Sequence, residues 1–502
     1  MSLNNNIGIV YEFVYNSNNG VLSYFLDFYA KKFDLKYSIT KENELLRLFV
    51  SGDKDEVVKF NDSSMNCIPN SIFLKKSSVN EWEKELPKSS NFFSSPYANI
   101  TPSVLKAYGK GELIANEYSI FSNLSIKKDD KFIKITKENF DSNLDYATRA
   151  LQHNQELFLK DEDGASFSLL LDIVFDDGNI LMPTSVLNLS KLFVCDESTL
   201  IALNSFEKPV INLRVSEVYK GKNRNAPSFF DLKLADDLFL FALATSLKDI
   251  APFLTLKNLA QDPKIALLED DFLIIKNSKF ILPDEKSSDK FKLKVAELNL
   301  QKPVVVKIEL NKNRDDEISL FKDGAFIELL KLPAINGSDE LKEQILKDKV
   351  GKTLFENYTK EFKFQSFNKD SFRSFYSYFE LASRLFFEKD ASKLIENAKL
   401  FRGKKGPKID YKEGFESEFC VDKFIRSGMS FRLGGCDDES LSFGYVESLI
   451  IYLDSFLDEL KKQVEFNAVI LQGELFSEPL FANLAKKLIS SYHNINFCHY
   501  EL

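Results

Sequence analysis

Ile7-Gly8-Ile9-Val10-Tyr11-Glu12-Phe13-Val14-Tyr15, followed beyond Gly20 by Val21-Leu22-Ser23-Tyr24-Phe25-Leu26-Asp27-Phe28-Tyr29-Ala30-Lys31-Lys32-Phe33, sets a strand and then a helix at the head of the chain. The first run is apolar, with aromatic and β-branched residues, and the second places its apolar residues at helical spacing. Gly20 supplies the turn between them. Working outward, Tyr37–Ile39 is a short extended piece and Leu45–Val50 a strand. Asp53–Phe60 is a short helix behind an acidic first turn, and a last strand falls around Ile72–Leu74. The order β-α-β-β-α-β predicts a ferredoxin-like sandwich of about 75 residues.

The whole chain has 502 residues and a formal charge of −9. At roughly 100–200 residues per domain, three or four domains are expected. Its 44% hydrophobic and 28% charged residues are the balance of a folded, soluble protein. An acidic surface repels phosphates, and no basic stripe interrupts it, so nucleic acid and anionic membrane are not expected as partners. The 47 Phe residues reflect compositional bias and carry no functional reading. Cys67, Cys195, Cys420, Cys436 and Cys498 form no C-x-x-C motif, which excludes the usual structural zinc knuckle and fits free thiols in a reducing compartment. The longest apolar run, Leu238–Leu247, is far short of the roughly 20 residues of a membrane span. No basic residue precedes the apolar start of the chain, so neither export nor membrane insertion is expected and the location is read as cytoplasmic.

Residues 77–141, rich in Ser, Asn, Pro and Lys, read as a loop-rich connector with little core of its own. Beyond it, Leu144–Leu151 reads as helix, Glu156–Lys160 and Ser166–Ile173 as strands around the Asp161-Glu162-Asp163-Gly164 turn, and mixed α/β pattern continues to about Ile281. Pro303–Leu310, Ser319–Phe321 and Phe326–Lys331 form a second strand series joined by the acidic turn Arg314-Asp315-Asp316. The last third is more helical, with Asp370–Glu388 and Phe443–Lys462 leading to strand Ala468–Leu471, the turn Gln472-Gly473-Glu474, helix Pro479–Ser490 and strand Asn496–His499. That β-turn-α-β ending is the wall of a nucleotide-type α/β domain.

In order and spacing these pieces resemble the HypF family, the carbamoyltransferases that make the cyanide ligands of NiFe hydrogenases. Glu156-Leu157-Phe158-Leu159-Lys160 with Gly164 looks like that family's "E-ilaiKG..G", and Glu207-Lys208-Pro209 like its "EKP". Phe253-Leu254-Thr255-Leu256-Lys257-Asn258-Leu259-Ala260-Gln261-Asp262-Pro263 is similar to "VMTSaNLSgeP", and Asp271-Phe272-Leu273-Ile274-Ile275 stands where "D-fLlH" follows. Leu471-Gln472-Gly473-Glu474-Leu475-Phe476 looks like "LSGGVF". The resemblance implies a multidomain α+β and α/β fold: an acylphosphatase-like domain over 1–76, a connector carrying a zinc-finger remnant over 77–141, a YrdC-like domain over 142–300 and a degenerate, truncated ASKHA-type domain over 301–502.

The departures from the family bear on chemistry. The phosphate-holding Arg and water-placing Asn of an acylphosphatase fall at Leu22 and Lys41, and a zinc-ligand Cys falls at Ile100 within Ser95–Thr101. The basic cluster before "EKP" reads Ala202-Leu203-Asn204-Ser205-Phe206, and the histidines are only His153, His493 and His499. Glu474 and Glu478 replace the Gly and Asn of the last motif, where a carboxylate repels a phosphate. The chain also stops at Leu502, before the Gly-rich segment with which the family closes over nucleotide. The expectation is a degenerate, HypF-like pseudoenzyme that binds or scaffolds a hydrogenase subunit or maturation proteins.

No catalytic residue, metal ligand or cofactor is assigned. Lys160, Lys208, Thr255 and Asn258 are the candidates for a residual nucleotide site. With ATP they would make the alternative, a carbamoyl-adenylate-forming carbamoyltransferase. Each also has a plain structural role open to it: a solvated strand-end lysine, a lysine before a proline, and a loop-stabilising Thr–Asn pair. Gly403-Lys404-Lys405-Gly406-Pro407-Lys408 lacks the spacing and following Ser or Thr of a P-loop and reads as a solvated flexible loop.

Overall fold

The computed structural model describes residues 6–17, 19–259, 263–269, 272–276, 280, 289–335, 337–365, 372–411, 419–489 and 491–498. The protein is a mixed α/β multidomain chain with two compact units, Met1–Ile265 with Lys276–Asp284, and Ala266–Ile275 with Glu285–Leu502.

The first unit opens with β1 (Asn6–Tyr15), α1 (Val21–Ala30), β2 (Lys36–Glu42), β3 (Leu45–Asp53), α2 (Lys54–Ser64) and β4 (Leu74–Glu81). Their antiparallel sheet runs β2-β3-β1-β4, the arrangement that the β-α-β-β-α-β order requires. Val21, Leu22, Phe25, Leu26 and Tyr29 form the buried stripe of α1. Asp53 caps α2 by accepting from the Asp55 N–H. The last strand differs from its expected place, beginning at Leu74 and pairing as far as Ile9↔Glu81. Its residues from Lys75 to Glu81 are exposed, so no apolar alternation marks the strand; the ladder of the long β1 makes it. The open edge of β2 is covered by the following segment: Ser90 N donates to Ile39 O (2.8 Å), and the Ser89 and Ser90 hydroxyls accept from Ile39 N and Lys41 N.

There follow α3 (Pro102–Tyr108), β5 (Ser125–Lys128), β6 (Lys131–Lys134), α4 (Phe140–Gln152), β7 (Leu157–Lys160), β8 (Ser166–Leu170), β9 (Ile180–Pro183), α5 (Leu189–Leu192) and α6 (Glu197–Asn204). Next come β10 (Val210–Arg214), α7 (Glu217–Lys222), β11 (Phe229–Leu232), α8 (Leu238–Ser246), β12 (Phe253–Lys257) and β13 (Lys264–Leu267). The strands run β13-β10-β11-β9-β12-β8-β7-β5-β6. The loop-rich reading of 77–141 is therefore corrected: β5 and β6 lie inside it, and Ile100, Val104, Leu124, Ile126, Ile135 and Phe140 from it join the buried core. Short strands among lysines carry too few apolar positions to announce themselves; pairing of β5 with β7, and of β6 with β5, decides them. Within this core Ala147 and Leu151 of α4 and Phe239 and Leu243 of α8 meet Leu157, Leu159, Leu169 and Leu254 of the sheet.

β14 (Phe272–Lys276) comes next, and the second unit continues with α9 (Lys290–Glu297), β15 (Val304–Glu309), β16 (Glu317–Lys322) and β17 (Ala325–Leu330). Among the described residues six helices intervene: α10 (Ser338–Ile345), α11 (Lys349–Glu361), α12 (Phe375–Phe387), α13 (Ala391–Leu400), α14 (Val421–Leu433) and α15 (Asp438–Gln463). β18 (Ala468–Gln472), α16 (Pro479–Leu488) and β19 (Ile495–Phe497) complete it. The sheet runs β17-β16-β15-β18-β19, with β15, β18 and β19 parallel and β16 antiparallel to both its neighbours. Val306, Ile308, Leu320, Val469 and Leu471 face the helical core, while Val305, Phe321, Ala468 and Ile470 pack with Phe291 and Val295 of α9. α15 starts five residues before the expected Phe443, because Asp437 caps it by accepting from Ser440 N (2.8 Å).

Candidate functional site

Ile211, Leu232, Leu181, Thr255 and Leu170 stand in one row across the large sheet. β10 and β12 run the same way through that row. Lys208 lies three residues before it and Asn258 three after it, so the two sit at opposite ends, roughly 20 Å apart along the strands. Lys160 pairs with Ser166, and Lys257 with Ser168, which places Lys160 at the Asn258 end. The structure thus brings Lys160 and Asn258 to one end, leaves Thr255 in the middle and separates Lys208 from all three.

The local chemistry of each is equally distinct. Thr255 is fully buried, and its Oγ1 donates to Asp172 O (2.6 Å) and accepts from Val174 N (3.1 Å), so its hydroxyl ties the segment after β8 to the sheet. Asn258 is exposed with φ 61°, the left-handed conformation that Asn tolerates at a strand end. Lys160 is half-buried on the face opposite the buried Leu157 and Leu159; its amine lies 5.7 Å from the Phe132 ring and its stem runs over Gly164. On the same face lie exposed Phe158 and Lys257, the latter 3.5 Å from Glu156, whose carboxylate also accepts from Ser168 Oγ. Lys257 sits inside the quoted Thr-x-x-Asn stretch and was missed, because strand alternation alone does not say which face is open.

Lys208 is buried, with φ 45°, and its amine donates to Asn204 O (2.9 Å). Burial pushes its pKa down to about 8 against the opposing pull of Glu207 and Asp236. Glu207 is buried too; its carboxylate accepts from Ser71 Oγ (2.6 Å) and Ile72 N (3.0 Å), while Phe206 N donates to Asn70 O. Burial raises the Glu207 pKa. These contacts tie the first sheet of the unit to the second. The turn into α1 is similarly filled: Gly20 (φ 66°) heads α1 and lies so close to Phe93 O that a Cβ would meet it at 2.0 Å. Leu22 is buried in the core and Lys41 donates to Ser17 O.

In the second unit the carboxyl ends of parallel β15 and β18 carry a polar cluster, at the position where open α/β sheets present ligands. Glu309 pairs with Lys307 (2.7 Å) and with Arg314, and accepts from Gln472 Nε2 (2.8 Å). Burial would raise the Glu309 pKa, and Lys307, Gln472 and Arg314 together outweigh it and hold the pKa below the ordinary value. Glu474 accepts from the Lys312 backbone N–H (2.7 Å), and Glu478 is bracketed by Lys312 (3.4 Å) and Lys399 (3.3 Å). Burial opposes ionisation of Glu478, but Lys399 and Lys312 hold its pKa below the ordinary value. Both Glu474 and Glu478 are thus engaged within the protein, Glu474 by the Lys312 N–H and Glu478 by the Lys312 and Lys399 amines. Lys307, Lys312 and Lys399 are cations that no motif singled out.

His493 is buried, stacks on Phe466 and lies 3.1 Å from Asp458, whereas His499 falls outside the described residues. Among the described residues, no cluster of three His, Cys, Asp or Glu side chains has metal-site geometry, and no helix is long and apolar enough to cross a membrane.

No protein-family model matches the chain. Over 98% of its length, however, it has the multidomain α/β fold of HypF. Full-length HypF in its phosphate- and nucleotide-bound form aligns at a TM-score of 0.56 with 11% identity, covering 95% of that chain. The HypF of T. kodakarensis aligns at 0.61 with 10% identity and 96% coverage. In sequence the chain is 33% identical over 108 residues to Protein HydE of Wolinella succinogenes. That match spans about a fifth of each protein, 21% of this chain and 20% of the relative.

Proposed function

We propose that this protein is a NiFe-hydrogenase maturation or assembly accessory protein, a HypF-like pseudoenzyme that binds or scaffolds hydrogenase subunits or maturation proteins in the cytoplasm. In this reading residues 1–76 are acylphosphatase-like, 77–141 carry the zinc-finger remnant, 142–300 are YrdC-like and 301–502 are ASKHA-type. One observation carries it: the fold of HypF extends along 98% of the chain, while several of the groups read as nucleotide positions from the sequence are engaged within the protein. Thr255 binds backbone, Lys208 is buried on Asn204 O, and Glu474 and Glu478 hold Lys312 and Lys399. The partial likeness to Protein HydE supports the same assignment. Deleting the gene is expected to abolish NiFe-hydrogenase activity or subunit assembly and to spare unrelated metalloenzymes. Normal hydrogenase activity in the deletion strain overturns the proposal.

The alternative, a carbamoyltransferase that still forms an adenylate, draws on Lys160, Lys257 and Asn258 at one end of an open sheet face. Carbamoyl-phosphate-dependent exchange of pyrophosphate into ATP by the purified protein, above a Lys160→Ala control, would establish it; exchange equal to that control eliminates it.

A further inference from the structure

The loop between α13 and the buried Ile409 carries Arg402, Lys404, Lys405 and Lys408, all exposed, with the exposed Asp410 just beyond it. Among the described residues, none of the four pairs with a carboxylate. The composition of this loop predicted flexibility, but its backbone is fastened at several points. Phe401 stacks on Phe443 at 4.5 Å, and Gly403 lies against the Phe401 ring so closely that a Cβ would meet it at 2.3 Å. Gly406 rests on Gly444 of α15, where an added Cβ would stand 2.6 Å from the Gly444 nitrogen, and Gly406 N donates to Glu447 (2.9 Å). Beyond the loop, Ile409 N donates to Ser448 Oγ and Asp410 N to Ser427 Oγ, both at 3.0 Å.

The two glycines let the chain approach a ring and a helix backbone, and the approach holds the cations outward on a fixed frame. We propose that this loop is a preorganised docking surface for an acidic segment of a partner protein. Cations on a pinned backbone lose less freedom on binding than the same residues on a mobile one. Carboxylates in an extended acidic segment meet them with complementary charge, which governs encounter and register. A nucleic acid requires a longer basic track than the four cations of this short loop supply. A membrane surface requires an apolar wedge beside the cations, and the Phe401 ring is already covered by Gly403 and Phe443. The surface is read from charge and packing alone and stands whichever reading of the fold holds.

The test is fluorescence anisotropy of the full-length protein with a labelled alternating Glu-Gly peptide, run beside an oligothymidylate and phosphatidylserine vesicles. Salt-sensitive peptide binding is expected, at least about tenfold weaker in Lys404→Gln/Lys405→Gln and unchanged in Lys461→Gln/Lys462→Gln, which removes equal charge elsewhere. Gly406→Ala, with every cation retained, is expected to weaken binding because the loop leaves α15. Equal peptide binding by the wild type and Lys404→Gln/Lys405→Gln overturns the proposal. So does preferential binding of the oligonucleotide or of the vesicles.

Discussion

A buried lysine before a proline has two physical explanations, a bound anion or a tolerated strain, and Lys208 separates them by its surroundings. Its amine is satisfied by Asn204 O, its backbone lies at φ 45°, and Glu207 beside it is committed to Ser71 and Ile72. A pKa pushed down to about 8, below the ordinary 10.5, means that the unfolded chain binds the proton more tightly than the folded one. The penalty is full below about pH 8 and vanishes as pH rises past the unfolded value. Lys208→Met, which keeps the volume and removes the charge, is therefore expected to raise stability at pH 7 by about 1–2 kcal/mol after the lost hydrogen bond is counted. Urea melts at several pH values check this: the gain should shrink between pH 8 and 10.5. A variant less stable than wild type at pH 7 would show that the buried amine, through its bond to Asn204 O, is net stabilising.

At the scale of the element, caps and close approaches set where helices and turns begin. Asp437 starts the 26-residue α15 by accepting from Ser440 N and Ser440 Oγ, each at 2.8 Å. The Ser440 backbone bond lowers the Asp437 pKa, so the cap's contribution is present above the unfolded value of 3.8 and is lost as pH falls through the folded value. Asp437→Ala is expected to cost about 1 kcal/mol at pH 7, and the difference from wild type should narrow in acid. Gly473, at φ 97°, turns β18 against β15 so tightly that a Cβ would stand 2.3 Å from Leu310 O. Leu475 N also donates to that carbonyl. Gly473→Ala should lower stability by roughly 2–4 kcal/mol through positive φ and overlap together, measurable as a reduced urea midpoint with unchanged slope. A loss below 1 kcal/mol would mean that the β18 turn relaxes freely.

For the molecule as a whole, the charged groups at the strand ends of the second unit are already partners of one another. At the strand ends of the second unit Lys312, Lys399 and the Lys312 N–H are held by Glu474 and Glu478, and Lys307 is held by Glu309 and Glu317. An incoming phosphate would have to break these pairs and then face the released carboxylates. The full chain titrated with Mg-ATP is expected to give no calorimetric binding at or below roughly 1 mM, which is about −4 kcal/mol. A tighter constant would show that those pairs open for ligand.

The apolar run Ile7–Tyr15, set against the helical spacing of Val21–Ala30, determined the head of the first sheet, and pairing with β3 then fixed the register that turns Phe13 and Tyr15 into the core. The strand triplet from Val304 and the β18–α16–β19 ending were equally legible, since apolar runs of strand length between turn residues leave little choice. β4, β5 and β6 were not, because they are polar strands made by a neighbour's ladder instead of by their own burial. The candidate site divides the same way. Motif order pointed to Lys160, Lys208, Thr255 and Asn258, but which of them share a place depends on sheet register. Whether a charge is free depends on what packs beside it: Lys208 is sealed in the core, while the basic loop at Gly403–Lys408 is held rigid by Gly444 and Glu447, both far along the chain. Local sequence sets which residues can form an element; distant partners set register, burial and pairing, and only the tertiary structure contains them.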